Sequence, residues 1–385
     1  MLTLLLLLSV ASGCGDSGPS TVRIFGFNPE TKRYGLFDAR LNVESVGEMR
    51  GEAVRFVGGA TIKGDALAAS SDPKSENILQ ARGGSDVRCS FHERDGVLHA
   101  DDYDSLNMAS SYWALEQSRN LFLDLGVERD RLNTINAYYH PRIEMLTKVA
   151  PTYFLFVDNA AYGGTFDGFM ILPHVAMNAV PFSTNLGVMA HEYSHKVMNV
   201  LVERSQRVAA WLRNDWAQAS ANQLRGVDEG LADMYGHLLT GDPNFMQPSV
   251  EGLEGLIDRD LRAVRVDDRD LVEEWLALGE EDPLLGNTFR QHVLCAHVAA
   301  ALWRFGADLG DHRRVAEALI AVQRELGDEI AAAGTRPYDF SVLGFFDKVA
   351  ARFTDSERQA FCSIVGARFP TLIATDTAHR MGNCP

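Results

Sequence analysis

The stretch His191-Glu-Tyr-Ser-His195 decides how the rest of the chain is interpreted. His191 and His195 are four residues apart, so on a helix both imidazoles project from one face and can hold one metal ion. Glu192 would lie beside that metal, where a carboxylate can take a proton from an activated water. Apolar residues at helical spacing support the helix, and Ser183 or Thr184 is predicted to cap its start.

A second stretch, residues 226–237, also predicts a helix. Glu229 and Asp233 are four residues apart within it and share a face. A zinc ion held by two histidines needs a third protein ligand, and Glu229 suits that role. Asp233 is placed to accept the outer N–H of a ligand histidine. Asp228 points about 100° away from Glu229 on such a helix, so it ranks lower.

The motifs HEYSH and DEGLAD together resemble those of the glutamate-zincin metallopeptidases, the thermolysin-like and fungalysin-like group. The resemblance covers roughly residues 105–305 and is strongest over 188–236. It implies one catalytic Zn²⁺ held by the two histidines and Glu229. It further implies that Glu192 is the general base and that Asp233 supports a ligand histidine.

Two β-prone runs, residues 153–162 and 169–173, surround a glycine-containing loop and predict a hairpin. In the thermolysin-like group an edge strand with an Asn-Ala pair binds the substrate backbone, and Asn159 and Ala160 resemble that pair. The physical basis would be β-augmentation, in which an extended peptide adds a strand to an exposed sheet edge. An ordinary hairpin without a binding role is the alternative.

The segment 287–305, capped by Asn287, predicts a third long helix that carries His292 and His297. Counting back from Leu302-Trp303, the resemblance places His292 on the histidine that stabilises the oxyanion of the tetrahedral intermediate. One such donor is worth about 2.7–4 kcal/mol of barrier. The alternatives are His297 in this role and a structural role for either histidine. The tyrosine that the family supplies between its two zinc helices has no counterpart in this connection.

Composition favours an exported protein with a sizeable core. The chain has 385 residues, and 46% of them are hydrophobic, which is ample for two or three domains. The formal net charge of −16 argues against nucleic acid as a partner, because binding the phosphate backbone needs a basic surface. A peptide or protein substrate is the expected partner.

The amino terminus predicts export. Residues 1–13 are predicted to be a signal peptide, because their apolar run is too short to span a bilayer. Small residues before Cys14 resemble a bacterial lipoprotein signal, so Cys14 is the predicted lipid anchor and 14–20 its tether. Ordinary signal cleavage near Gly13 is the alternative. We expect a cell-envelope lipoprotein rather than a fully secreted protein, with membrane contact only through this anchor.

The predicted fold class is α+β. Short β-prone runs with glycine punctuation predict a small β-rich amino-terminal domain at 21–104, and amphipathic periodicity begins at Ser105. A two-lobed zincin-like unit should follow. It would comprise a zinc-binding lobe at 105–245, with a sheet and the active-site helix, and a helical lobe at 246–385.

Two further predictions concern covalent and ionic links. Four cysteines remain besides Cys14 and allow three pairings, of which Cys362–Cys384 is preferred because it would pin the carboxy-terminal tail. The acid-rich segment 251–282 could hold a structural Ca²⁺, since hard cations favour carboxylate oxygens. A solvated acidic helix is the alternative.

The predicted function is an exported zinc metallopeptidase, with an endopeptidase preferred. Three rivals stay open. The first is an aminopeptidase, although no glutamate motif for a free amino terminus precedes the HExxH sequence. The second is a catalytically silent, lipid-anchored binding protein with the same fold. The third uses the same metal on a non-peptide ester or amide.

Overall fold

The computed structural model describes residues 19–65, 79–146, 151–154, 157–176, 179–203, 218–250, 259–277, 291–334 and 336–384. Within them the chain is a mixed α+β protein, with a β-rich region first and a helical region last, which confirms the predicted fold class. No helix among these residues is long and apolar enough to cross a membrane. The predicted signal peptide and Cys14 lie outside the described residues.

A four-stranded sheet opens the chain. It contains β1 (Ser20–Asn28), β2 (Arg33–Leu41), β7 (Phe91–Arg94) and β8 (Val97–Ala100), in the order β2-β1-β8-β7. Val22 and Ile24 on β1 are fully buried. Helix α1 (Tyr103–Asp124) lies against β1, and the backbone N–H of Phe25 donates to Ser110 Oγ at 3.0 Å. Asp102 caps α1 by accepting from the N–H of Ser105.

A nine-stranded sheet carries the elements around the candidate site. Its strands are β3 (Val43–Ser45), β4 (Arg50–Gly51), β5 (Val54–Asp65), β6 (Gln80–Asp86), β9 (Ile135–Tyr139), β10 (Arg142–Leu146), β11 (Pro151–Phe154), β12 (Ala160–Gly163) and β13 (Gly168–Ile171). Strand β5 pairs in parallel with β9 and β10 and antiparallel with β6. Strand β13 pairs in parallel with β9, and β12 pairs antiparallel with β13 at one edge.

The predicted hairpin exists, but its first arm is shorter than expected. Residues 160–163 pair with 168–171, whereas 151–154 form a separate strand that pairs with β10. A run of β-prone residues does not reveal where one strand stops and another begins, because both parts have the same local preference.

The predicted division at residue 104 does not separate two sheets. Strands β5 and β6 fall in the predicted amino-terminal domain, yet β5 is hydrogen-bonded to β9 and β10 from beyond the boundary. Helix α1 forms part of the long connection that parallel pairing requires between β5 and β9, and β6, β7 and β8 form the rest. Pairing between strands distant in sequence leaves no mark in local periodicity, so the run of strands resembled a domain of its own.

The first motif-bearing helix lies against the sheet and α1, and the second packs against the first. Helix α2 (Leu186–Met198) carries the HEYSH motif and continues into a π-helical turn at Asn199–Glu203, and helix α3 (Gln218–Thr240) carries the second motif. Tyr193 of α2 is fully buried and stacks on Phe122 of α1 and on Phe169 of β13, each at 5.8 Å between ring centroids. This packing fixes the height of α2 over the sheet.

The last part of the chain is helical. It contains α4 (Arg269–Trp275), α5 (Gln291–Leu309), α6 (His312–Ala333), α7 (Val342–Ala350), α8 (Asp355–Arg368) and α9 (Pro370–Thr375). A disulfide joins Cys362 of α8 to Cys384 and confirms the predicted pairing. Cys89 and Cys295 are free thiols.

Candidate metal centre

Helix α2 is held at its first turn by a buried asparagine. Asn185 caps the helix, its side-chain oxygen accepting from the N–H groups of Gly187 and Val188 at 3.0 and 3.2 Å. The predicted cap at Ser183 or Thr184 is therefore wrong. Those two residues belong to a preceding 3-10 turn, and their hydroxyls donate elsewhere, Ser183 to Asn107 and Thr184 to the carbonyl of Pro181.

The two motif histidines converge as the spacing predicts. His191 Nε2 lies 3.3 Å from His195 Nε2. Glu229 of α3 faces both rings, its Oε2 lying 3.4 Å from His191 Nε2 and its Oε1 3.9 Å from His195 Nε2. His191, Glu192 and His195 also bring one potential ligand atom each within 4.8 Å of one another. This group could hold a metal ion.

Carboxylates accept from the outer nitrogen of each histidine. Asp233 Oδ1 lies 3.0 Å from His191 Nδ1, as predicted for a residue that supports a ligand. Asp228 Oδ2 lies 3.0 Å from His195 Nδ1, a contact that the sequence reasoning missed. Since carboxylates only accept hydrogen bonds, both Nδ1 atoms carry hydrogen, and each ring turns its Nε2 toward Glu229 and the other ring.

The cluster of two imidazoles and a buried carboxylate stabilises positive charge. Burial opposes charge on His195, but Asp228, Glu229 and Glu192 together raise the pKa of His195 to about 10. The pKa of His191 is likewise raised, because Asp233 and Glu229 outweigh its burial. Although burial opposes it, hydrogen bonds from His191 and His292 hold the pKa of Glu229 well below its usual range. A dication that bound between the two rings would replace the protons on their Nε2 atoms.

Arg259 is a second residue of the site that the sequence reasoning missed. Its side chain is 9% exposed, and its Nε donates to Asp233 Oδ2 at 2.9 Å while its Nη2 donates to Glu229 Oε2 at 3.2 Å. The guanidinium compensates two buried carboxylates, and it helps to lower the pKa of Asp233 despite that residue's complete burial. Arg259 is one of several arginines in an acid-rich stretch, and no motif distinguishes it from the others.

Glu192 lies between the histidines and the sheet edge. Its Oε1 is 3.9 Å from His191 Nε2, and its Oε2 accepts from the backbone N–H of Tyr162 on β12 at 2.7 Å. Strand β12 pairs only with β13 among the described strands, so its other side is the edge that the hairpin hypothesis requires. Ala160 is buried in this strand. Asn159 precedes it, is exposed, and accepts the N–H of Ala160 through its own side chain.

The structure brings His292 near the site and keeps His297 in the core. His292 Nδ1 lies 3.4 Å from Glu229 Oε2, and its side chain is 59% exposed. His297 donates to or accepts from nothing in this cluster; its Nδ1 lies 2.9 Å from the carbonyl of Val293, and its ring packs against Trp275 and Phe369. The predicted cap Asn287 lies outside the described residues.

The predicted calcium site gains no support from the described part of 251–282. The cluster at His191, Glu192 and His195 is the metal-binding group found among the described residues. The acids of the segment are engaged otherwise: Asp267 accepts the N–H groups of Thr371 and Leu372, Asp268 caps α4, and Asp260 pairs with Arg262. Residues 251–258 and 278–282 of the segment lie outside the description.

Comparison with known proteins adds no family to this geometry. No protein-family model matches the sequence, and no curated protein matches it. Function is therefore inferred from the site itself.

Proposed function

We propose that the protein is an exported zinc-dependent metallopeptidase that cleaves within peptide chains. In this proposal His191, His195 and Glu229 hold the zinc ion and Glu192 is the general base. The observation that carries it is the convergence of two imidazole Nε2 atoms and one buried carboxylate, with each outer Nδ1 backed by an aspartate. The resemblance of the two motifs to glutamate-zincins supports the same assignment.

The spacing of the ligand atoms fits zinc. Nitrogen and oxygen ligands at about 2.0–2.2 Å from a tetrahedral ion lie about 3.3–3.6 Å from one another. The separation of the two Nε2 atoms, 3.3 Å, and that of His191 Nε2 from Glu229 Oε2, 3.4 Å, fall in this range, whereas that of His195 Nε2 from Glu229 Oε1, 3.9 Å, is slightly longer. Three protein ligands leave the open position that a hydrolytic site needs.

The chain's own groups divide the remaining work. A bound zinc ion would supply a Lewis acid for the scissile carbonyl and would acidify a water molecule. Because the backbone of Tyr162 orients one oxygen of Glu192, the other is free to accept the proton of that water and return it to the leaving amine. His292, exposed beside Glu229, is proposed to donate to the oxyanion.

An extended peptide is the proposed substrate because the edge of β12 that pairs with no described strand adjoins the base. Backbone groups along the outer side of β12 can pair with a peptide backbone, and Tyr162 in this strand already contacts Glu192. Asn159 is exposed at the start of the strand, where it could meet the same peptide. Backbone pairing along an edge does not require a free terminus, which favours an endopeptidase over an aminopeptidase.

One observation favours the second candidate, a catalytically silent binding protein. The Arg259 guanidinium lies 3.2 Å from Glu229 Oε2, so this carboxylate has a positively charged hydrogen-bond donor even without a metal. If Arg259 kept Glu229 from serving in catalysis, the protein would keep its fold and its binding cleft but would not hydrolyse peptides.

The test measures zinc content and cleavage of casein and of blocked peptides by residues 20–385 and by Glu192→Gln. We expect one equivalent of zinc in both and a rate about 10²–10⁴-fold lower in the variant, because a general base contributes that much. Glu93→Gln, at an exposed glutamate on β7, is the matched control and should equal the parent.

Zinc in both proteins without cleavage of any peptide by the parent would favour the binding protein. No zinc in either would refute the metal site.

A further inference from the structure

A second stripe of polar residues runs along helix α2, next to the metal-facing histidines. Glu192, Lys196 and Asn199 occupy positions i, i+4 and i+7, so they share one face. Each contacts the hairpin formed by β12 and β13. We call these three residues the hairpin stripe.

Lys196 is the central member and is unusual in being buried. Its side chain is 3% exposed, and its Nζ lies 2.7 Å from both carboxylate oxygens of Asp167. Asp167 lies in the turn between β12 and β13, where its backbone has a φ of 47°. A buried ammonium is costly unless it is paired, so Asp167 fixes where the turn can lie relative to α2.

The same carboxylate is tied to the edge strand through a tyrosine. Tyr162 OH donates to Asp167 Oδ1 at 2.7 Å and accepts from Asn199 Nδ2 at 2.7 Å. The backbone N–H of that tyrosine donates to Glu192. Strand β12 is therefore hydrogen-bonded to residues at both ends of the stripe. The Lys196–Asp167 ion pair links the turn of the hairpin to the middle of the stripe.

We propose that Lys196 and Asp167 are positioning residues that hold the substrate-binding strand at the level of the metal. This inference rests on the proposed function, because it assumes that an extended peptide pairs with β12. Lys196 directly follows the ligand His195, so a shift of the hairpin changes the distance from β12 to the metal directly. A misplacement of about 1 Å in a bound substrate can cost about 10²-fold in rate.

The first experiment measures amide hydrogen exchange of residues 160–171 in the zinc-loaded protein. In Lys196→Met and in Asp167→Asn we expect exchange about tenfold faster or more, because the hairpin loses its tie to α2. Lys196→Met keeps the length of the side chain and leaves Asp167 to water, whereas Asn tolerates the positive φ at position 167. The double variant should be no worse than either single one.

Thr165→Ala is the matched control. Thr165 lies in the same turn, but its hydroxyl donates to the carbonyl of Leu79 and not to α2. Exchange in this variant should stay within about twofold of the parent. Equal acceleration in all variants, or none in Lys196→Met and Asp167→Asn, would overturn the positioning role whether or not the protein is active.

The second experiment compares two substrates at equal zinc content. One is a blocked peptide long enough to pair with the four residues of β12, and the other is a blocked dipeptide. For the long peptide kcat/KM should fall about 10²-fold in Lys196→Met, and for the dipeptide it should change by about twofold or less. Asp167→Glu, which keeps the charge, should recover most of the loss seen in Asp167→Asn.

The outcomes separate the two proposals. An equal loss of kcat/KM on both substrates would overturn the inference that Lys196 and Asp167 align a bound peptide with the metal. A parent that binds zinc and cleaves no peptide would refute the proposed function and, with it, the inferred effect on substrate alignment. Hydrogen exchange would still decide whether Lys196 and Asp167 position the strand.

Discussion

Two pairs of histidine rings meet edge to face in this protein, yet they have opposite electrostatics. The rings of His191 and His195 lie 5.0 Å apart at 87°, and those of His237 and His312 lie 4.7 Å apart at 80°. The surroundings raise the pKa of His195 to about 10. They lower the pKa of His237 to about 4.

The difference lies in what contacts the outer nitrogens. Burial opposes charge in both pairs, but Asp233 and Asp228 lie 3.0 Å from the Nδ1 atoms of the first pair. In the second pair both Nδ1 atoms are buried and have no hydrogen-bond partner within the described part of the chain, and His312 adds repulsion to the effect of burial on His237. Carboxylates, and not the closeness of two histidines, make the first pair a candidate metal site.

The largest expected effect comes from Asp233→Asn. Asp233 is fully buried and accepts from His191 through Oδ1 and from Arg259 through Oδ2, so an amide would turn its NH₂ toward one of these donors. We expect zinc binding about 10–100-fold weaker. The free energy of unfolding should fall by about 3 kcal/mol, because a buried charge loses a partner. Metal titration and urea denaturation measure the two effects.

Asp242→Asn is the matched control, since Asp242 lies near His237 of the other pair. It should leave zinc affinity unchanged. Unchanged affinity in Asp233→Asn as well would mean that the aspartate does not distinguish the two pairs.

The next largest effect is the stability that the protein loses at acid pH because of the second pair, His237 and His312. The pKa of His237 is lowered to about 4 in the folded protein, against an ordinary value of 6.5. Between these values the unfolded chain binds a proton that the folded protein does not, so stability falls as pH falls from 6.5 to 4. The full contribution is about 3 kcal/mol, and the lowered pKa of His312 acts in the same direction.

The measurement is the free energy of unfolding against pH in EDTA, for the parent and for His237→Gln. Glutamine does not titrate, so the variant should lose less stability between pH 6.5 and 4, and the difference isolates His237 from the carboxylates. Parallel curves would show that the second pair is not kept neutral by its surroundings.

The core of the candidate metal site could be predicted because its pattern is local. The spacing of His191 and His195, and that of Glu229 and Asp233, are each set by the geometry of a single helix. A zinc ion held by two histidines needs a third protein ligand, and this requirement predicted that the two helices converge. The disulfide between Cys362 and Cys384 was predictable because few cysteines leave few pairings.

The rest depends on contacts between elements that are distant in sequence. Arg259 and Asp233 are 26 residues apart, and Asp167 and Lys196 are 29 apart, with no motif joining either pair. The sheet that spans residue 104 has the same origin, because the parallel partner of β5 lies beyond α1. Hydrophobic periodicity reports which face of an element is buried, but not which element buries it.

The helical-wheel argument failed to predict the contact between Asp228 and His195. It points away from Glu229, yet the two ligand histidines direct their outer nitrogens to different sides, so their acids need not share a face. Its side chain is 22% exposed, whereas that of Asp233 is fully buried. The two aspartates therefore serve the same kind of contact in environments of different polarity.

The smallest expected effect is that of Asp228→Asn. Only Oδ2 of Asp228 contacts His195, so an amide can keep that acceptor in place and put its NH₂ at Oδ1, which is buried and has no hydrogen-bond partner among the described residues. We expect zinc affinity to fall by about tenfold or less and stability to change by less than about 1 kcal/mol. Isothermal titration with zinc, beside Asp233→Asn, measures the contrast. If the two variants lost equal affinity, burial and the link to Arg259 would not be what makes Asp233 the stronger support, and the negative charge alone would account for both.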